Sequence, residues 1–371
     1  MKATKISFHN GLLFVFATAT MFFILPKVSY AVESPYAAGG NVTTFLSADG
    51  FYDVYVHTFT NNSEVKTFRN IGKRTLSLRY LVVGGGGAGS AGTGNGAGGA
   101  GGGGGGVVEA SGLSLERGGV LSVEVGAGAV AVSSDNRSSV AGTSRIKNGE
   151  TVVAKAPGGG NAGLYISNSD CVAATGGANG GGAARGPSGA SNANPGGAGT
   201  FTSLINGTAY GPFNGGGYSN ARTGGSGAGA GANGGSPTGN QGNGAAAVGG
   251  EGLVSDITGE SLVYGSGGGA GETSSKADAY PGRQGSSGGT RAGNGTKHDF
   301  TIVDEGGIVT TNFNYIAATA PAANSGAGGG GGGIAAYGGD SYRQGTGGAD
   351  GIVVIQYQYD PESNGFILII K

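Results

Sequence analysis

Cysteine is almost missing from these 371 residues: Cys171 stands alone. A lone thiol makes no internal disulfide, so a disulfide-stapled scaffold is excluded. Cys171 reads as a small apolar packing residue in preference to a nucleophile. Tryptophan is absent altogether, which removes the best flat surface for stacking a sugar ring. Only three histidines occur, at His9, His57 and His298. With so few His and Cys, a zinc site is hard to assemble. His57 falls in an expected strand and reads as a strand residue. His298 neighbours Asp299, but adjacency in sequence does not make a dyad. The paired acids Asp304 and Glu305 read as solvated, and no general acid or base is assigned. Charged residues are 12% of the chain and the formal net charge is -1. A basic stripe is therefore missing, which argues against nucleic acid as the partner.

Catalytic signatures are missing too. No Gly-Lys-Ser/Thr triplet closes a phosphate loop, and the kinase triplets H-R-D and D-F-G do not occur. The stretch Gly249 to Val254 approaches a calcium-binding nonapeptide, but valine stands where the ligand aspartate belongs. Helix-period apolar spacing is also absent, and frequent glycine would cost a helix about 1 kcal/mol each.

Glycine fills the space these absences leave. It supplies 88 residues, with dense runs at Gly84 to Gly87, Gly101 to Gly106 and Gly328 to Gly333. With 10 prolines, Gly plus Pro is roughly a quarter of the chain, at the lower edge of low-complexity composition. Disorder also brings high net charge and few apolar residues. Here 15 tyrosines, 14 phenylalanines and several β-type runs favour order.

The first residues read as an export signal. Lys2 and Lys5 make a basic start, Gly11 to Leu25 is mostly apolar, and Ser29-Tyr30-Ala31 is a small-x-small cleavage site. A retained anchor is the competing reading, although the apolar stretch is short for a full span. Removal of residues 1–31 takes away Lys2, Lys5 and Lys27, leaving 18 cations against 22 acids and a net charge of -4. The expected location is secreted or cell-surface, with no transmembrane segment after cleavage.

Strands are expected at Phe51 to Thr60, Glu64 to Ile71, Leu76 to Val83 and Gly119 to Val125. Asn148-Gly149 between SRIK and ETVVAK signals a hairpin. At the far end, IVVIQYQY (Ile352 to Tyr359) is a strand, DPESNG a turn, and FILIIK (Phe366 to Lys371) a further strand. Between them, residues 158–351 alternate glycine tracts with apolar inserts, the largest being Phe201 to Tyr210, Gly252 to Tyr264 and Phe300 to Ile316. Their spacing is irregular, which argues against a fixed-period solenoid. No strict G-X-Y register exists, which excludes collagen.

Ordered glycine without collagen has one physical route. Extended threefold helices of polyproline-II shape have no internal hydrogen bonds, so their N–H and C=O groups must find partners on neighbouring helices. Glycine lets those helices approach closely enough. Each ordered residue still costs about 1–2 kcal/mol of backbone freedom, so such a bundle needs a β core as its anchor.

Two motifs carry functional readings. Gly84, Gly86 and Gly89 spell G-x-G-x-x-G after a strand, but a dinucleotide site needs a helix to begin there, and Ser90 to Gly106 cannot be one. No cofactor is expected. Aromatics and arginines cluster in the inserts: Tyr210, Phe213 and Tyr218; Tyr280 with Arg283; Tyr337 with Tyr342 and Arg343. Such residues on rigidly held loops are common binding anchors. Their competing role is to pack over the bundle ends. The sequons at Asn41, Asn61, Asn136, Asn206 and Asn294 matter only in a eukaryotic secretory pathway.

The blocks HTFT, LRYLVVGGGGAG, GGGGGGVVEASGLSLERGGVLSVEVGAG, GGEGLVSDITGESLVYGSGGGAG and GGADGIVVIQYQY cover roughly residues 57–357. Their layout resembles bacterial and phage glycine-rich domain proteins. It is similar in architecture to phage tail-tip adhesins and to the glycine-rich ectodomain of anaplastic lymphoma kinase receptors. The resemblance implies glycine helices bundled beside a β core, a surface recognition role and no catalysis. The chain lacks a kinase domain, so receptor signalling does not carry over.

The expected fold is mainly β, a β-sandwich-like core bracketing a bundle of polyglycine-II helices, with little or no α-helix. Expected segments are a signal peptide at 1–31, an N-terminal strand region at 32–75, a glycine-rich domain at 76–359, and a turn and strand at 360–371. The expected function is an exported, non-enzymatic, adhesin-like module that binds a cell-surface glycan or protein. A structural matrix or envelope protein is the alternative. Ice binding is the third class, weakened by the absence of regular tripeptides and cross-linking disulfides.

Overall fold

The computed structural model describes residues 36–50, 52–60, 63–92, 98–131, 139–167, 170–184, 196–200, 208–217, 224–237, 247–271, 288–305, 308–333 and 344–359. The expected signal peptide and the strand at Phe366 to Lys371 lie outside these residues. The described chain is all sheet with no helix, as its composition requires.

Two antiparallel sheets form the core. One contains β1 (Ala37–Ala38), β4 (Lys66–Asn70), β7 (Val120–Glu124), β8 (Ser144–Asn148) and β9 (Thr151–Ala156), in that order. The other orders β12 (Thr208–Tyr210), β6 (Val107–Leu115), β5 (Leu76–Val83), β17 (Ile352–Tyr359), β3 (Asp53–Phe59) and β2 (Asn41–Leu46). Both sheets combine strands from before and after residue 75. Three separate hairpins complete the set: β10 (Leu164–Ser167) with β11 (Asp170–Val172), β13 (Leu253–Ser255) with β14 (Leu262–Tyr264), and β15 (Lys297–Glu305) with β16 (Ile308–Ile316).

The expected strands at 76–83 and 352–359 match β5 and β17, and Asn148-Gly149 makes the β8–β9 turn with Gly149 at φ 57°. Strand β6 was not expected, because VVEASGLSL breaks its alternation at Gly112. The structure gives the reason: β6 pairs with β5 through a shift in which Leu78 faces Leu113 and Arg79 faces Ser111. Gly112 is the extra residue, bulged out at φ 83°.

Strands β5 and β17 read as nearly continuous apolar runs because both of their faces are covered. On one face Tyr55, Phe59, Leu78, Tyr80, Val82, Val353, Ile355 and Tyr357 meet Phe68, Leu121, Val123, Ile146, Ala154 and Ala156 of the other sheet. On the opposite face Val54, Val56, Leu81, Val83, Ile352 and Val354 pack under Ile257 and Tyr264 of the β13–β14 hairpin. Gln356 on that face is buried and donates from Nε2 to the Ile257 carbonyl at 3.0 Å.

At one end of the sandwich the strands become glycine segments. Strand β5 runs out into Gly84, β9 into Pro157, and β7 into Val125-Gly126, while Gly106 leads into β6 and Gly351 into β17. There the hydrogen bonding changes period. From the segment 98–106, Gly99, Gly102 and Gly105 donate to Gly332, Gly329 and Gly326. Gly101 and Gly104 donate to Gly225 and Ala228, and Gly103 and Gly106 donate to Gly160 and Pro157. The carbonyls of the same segment accept from three further directions: Gly271 and Gly268, Gly182, and the row Ser90, Gly87 and Gly84. These N···O distances run from 2.7 to 3.2 Å across the bundle. Successive donors thus turn to a new neighbour at each step and return every third residue, a period a β-strand does not have. Segment 98–106 is bonded to six others around it.

Close approach explains the composition. A Cβ on Gly84 would fall on the carbonyl oxygen of Pro157, on Gly85 that of Ala127, and on Gly102 that of Gly87. Where the buried segments do carry a side chain it is small, as at Ala88, Ser90, Ala100, Ala228, Ser266 and Ala327.

A second closure is the β1–β2 corner, where β2 starts opposite Thr58 at the end of β3 that faces the start of β17. Gly39 and Gly40 cross from one sheet to the other at φ 121° and 66°, and a Cβ at Gly39 would fall on the Thr67 carbonyl. His57 is fully buried behind this corner, stacked near Tyr357 and edge-on to Phe68. Its Nδ1 lies 2.7 Å from the Gly39 carbonyl. A carbonyl only accepts, so Nδ1 carries the proton and Nε2 is left bare in the core, without a partner among the described residues.

Two outcomes follow from this packing. Gly102→Ala should cost about 3 kcal/mol or more, because only backbone surrounds the new methyl group, whereas Gly50→Ala, at φ 75° with nothing within 4 Å, should cost about 1–2 kcal/mol. Urea unfolding of the two variants checks the ranking. Burial holds the His57 pKa below its usual 6.5, partly opposed by its bond to Gly39. The unfolded chain therefore takes up a proton first as pH falls below 6.5, so stability should drop there and be fully present above it. Thermal unfolding between pH 8 and 5 should show this slope, and His57→Leu should flatten it.

Candidate recognition face

The glycine bundle needs an edge, and the edge is where its chemistry becomes accessible. Most interior amides are bonded to neighbouring backbones, and a few, such as Ala88 and Ala100, to the buried Asn161 Oδ1 and Ser90 Oγ. At the boundary small polar side chains supply the missing partners. Asn179 is buried; its Oδ1 accepts from Phe213 N at 3.3 Å, and its Nδ2 lies 3.1 and 3.2 Å from the carbonyls of Gly104 and Gly105. Further out, Asn214 Oδ1 accepts from Gly199 N at 3.0 Å, and Asn233 Oδ1 accepts from Asn214 N at 2.8 Å. Ser236 Oγ accepts from Gly217 N at 2.9 Å, and Thr200 Oγ1 donates to the Gly177 carbonyl.

Four outer stretches (175–177, 197–200, 212–217 and 231–236) are joined side by side in this way. Thr200 N donates to Gly177 O, Gly215 N to Gly197 O, and Gly234 N to Asn214 O. Thr175, Thr200, Asn214, Asn233 and Ser236 are exposed along the resulting face. Both Asn214 and Asn233 spend their side-chain oxygen on a backbone amide. Their Nδ2 groups have no partner among the described residues and remain as outward donors. No ionisable side chain belongs to this row.

Of the residues singled out by sequence, two are described. Tyr210 sits on β12 opposite Val107 and packs, half-buried, against the second apolar cluster. Phe213 is half-buried beside the Asn214 row; its amide bonds to Asn179 and its carbonyl accepts from Gly180 N at 2.9 Å. Tyr218, Tyr280, Arg283, Tyr337, Tyr342 and Arg343 lie outside the described residues. The asparagine row was missed in the sequence. Its signal was present as a recurring Asn-Gly-Gly, at Asn179, Asn214 and Asn233, each preceded by Ala or Phe. In a chain this rich in glycine the triplet looked like background.

The dinucleotide-like glycines have no capacity for phosphate. Gly84, Gly85, Gly86, Gly87 and Gly89 donate to Gly106, Gly142, Ala349, Gly103 and Thr346, so each of these amides is already spent. The charged cluster at Arg79 is structural. Arg79 Nε donates to Glu109 at 3.0 Å and Nη2 to Asp256 at 2.6 Å, tying the β13–β14 hairpin to the sheet. The Arg79 guanidinium holds the Asp256 carboxyl below the usual range. Among the described residues no group of three or more His, Cys, Asp or Glu is placed to hold a metal ion, and no helix is long and apolar enough to cross a membrane.

A family model described as a glycine-rich domain matches residues 62–358, and the chain belongs to that family. No curated protein matches the chain.

Because Arg79 bridges hairpin and sheet at a half-exposed position, Arg79→Ala should cost about 0.5–1 kcal/mol. Amide exchange should quicken at Leu253 to Tyr264 more than in β3 or β17.

Proposed function

We propose that the chain is an exported, non-enzymatic, adhesin-like recognition module, with its β-sandwich anchoring a bundle of polyglycine-II helices that presents a polar face to a cell-surface glycan. The observation that carries this is the exposed row Thr200, Asn214, Asn233 and Ser236, set on backbone that is bonded from segment to segment. Rigid placement is what a weak polar contact needs, since ordering a mobile loop at binding costs affinity. Amide and hydroxyl groups match sugar hydroxyls, and the absence of charge makes the contact insensitive to salt. Tryptophan stacking plays no part, so recognition rests on hydrogen bonds. The titratable groups in view support a binding role over a catalytic one: Arg79, Glu109 and Asp256 clamp a hairpin, and His57 lies in the core. Residues 1–31 supply the export signal in this scheme.

The test is a glycan array and binding to intact cells, using the native chain and the double variant Asn214→Asp/Asn233→Asp. Aspartate keeps the oxygen that caps the backbone and removes the outward N–H donor. Loss of two hydrogen bonds should weaken binding about tenfold or more, with the melting temperature unchanged. Full binding by the double variant, with loss in Tyr280→Ala/Tyr337→Ala, would move the site to the loops. Binding to protein ligands alone would replace the glycan. No binding to any surface would leave a matrix protein.

A further inference from the structure

Strand β2 is an edge of the six-stranded sheet. It pairs with β3 from Asn41 opposite Thr58 to Leu46 opposite Asp53, and with no described strand on its other side. Five of its six residues are exposed, including Val42 at 40% and Leu46 at 64%. The sequence NVTTFL carries no charge and no proline, the devices that normally keep an edge from pairing with another chain. The edge strand β9 of the other sheet has such a guard in Lys155.

The ladder fixes which backbone groups of β2 face outward. Ser47 N donates to Tyr52 O at 2.8 Å, one step past the pair Leu46 and Asp53. Bonded pairs alternate along an antiparallel ladder, so Phe45, Thr43 and Asn41 spend their amides and carbonyls on β3. Val42, Thr44 and Leu46 turn theirs away from the sheet. A second copy of β2, laid antiparallel about a two-fold axis at Thr44, presents the same three residues. Thr44 is then opposite Thr44, and Val42 is opposite Leu46 on both sides of the axis. Each of these pairs exchanges two hydrogen bonds. No other register pairs all three residues, and this one also brings the two exposed apolar side chains of the edge against each other twice.

We propose that β2 is the interface of a two-fold homodimer, in which the six-stranded sheets of two copies join edge to edge. Charge supports this register. β2 itself is neutral, so nothing repels across the axis. Beyond Leu46 the exposed Asp49 of each copy is carried toward the Gly39–Gly40 corner of the other, where the exposed Arg69 lies opposite Ala38. The contact is closed, because each copy uses its one β2 on the other, so it ends at two copies and does not grow into a fibre. It is also bipolar. Strand β2 runs parallel to β17, since both are antiparallel to β3, and it starts at the glycine end of the sandwich. Antiparallel pairing therefore sets the two glycine bundles at opposite ends of the joined sheet, each facing away from the other.

The test is sedimentation of the full chain. A six-residue ladder is small for an interface, so dimer should be half-formed at about 10–100 μM. Thr44→Pro removes an amide that β3 does not use, so the fold should keep its melting temperature while the half-dimer concentration rises about tenfold or more. Thr44→Lys, which sets like charges opposite each other at the axis, should do the same. In a Cys171→Ser background, Thr44→Cys should form a disulfide between two copies on mild oxidation, because Cα atoms of a bonded pair lie about 5.5 Å apart, within disulfide reach. Thr43→Cys, whose side chain is on the other face, should stay reduced. A chain that stays monomeric at about 1 mM would overturn the proposal. So would a dimer that Thr44→Pro and Thr44→Lys leave equally tight, or a disulfide that closes as fast at Thr43 as at Thr44.

Discussion

Lateral hydrogen bonding between glycine backbones is the constraint from which the rest of this structure follows. A β-sheet spends its amides on two neighbours in one plane. The segments beyond Val83 and Ala156 spend theirs in three directions and accept in three more. That arrangement requires carbonyl oxygens to lie where a Cβ would stand, as between Gly84 and Pro157 or Gly102 and Gly87. Glycine is thus the space-filling choice there, in the way that leucine is for an ordinary core. The conformational entropy it surrenders is large. It is offset only because nearly every interior amide gains a partner and because the sandwich holds the roots of the segments in register.

The sandwich and the bundle depend on each other through chain continuity. Strands β5, β7 and β9 all leave the sandwich at the same end, and β6 and β17 enter there. Side-chain packing between Tyr55, Tyr80, Phe68, Leu121 and Ile146 fixes the strands, and the strands fix where each glycine segment starts. Gly84 N still bonds to Gly106 O, extending the β5–β6 ladder by one step before the period changes from two to three. A conventional apolar core therefore sets the alignment of an unconventional one.

Much of the sandwich was legible in the sequence. Strands β5 and β17 stand out as LSLRYLVV and IVVIQYQY because burial on both faces selects near-continuous apolar runs. The β8–β9 turn was legible because Asn-Gly specifies its geometry. Strand β6 was not, since its bulge at Gly112 interrupts the alternation on which strand reading relies. The candidate recognition face was least legible. Its residues owe their position to which glycine segments lie side by side, and no local period records that. Aromatic residues drew attention instead, and Tyr210 proves to be half-buried against the apolar cluster beneath the β13–β14 hairpin.

The threefold return of the hydrogen bonds has a consequence for how such a chain can change length. Adding one residue inside a bonded glycine tract would turn every later amide by a third of a revolution, toward a neighbour that has no carbonyl waiting. Adding two does the same in the opposite sense. Adding three restores each amide to its original neighbour and merely lengthens the rod. Drift in these tracts is therefore expected to proceed in triplets of amino acids, a reading frame imposed by backbone geometry on top of the genetic one.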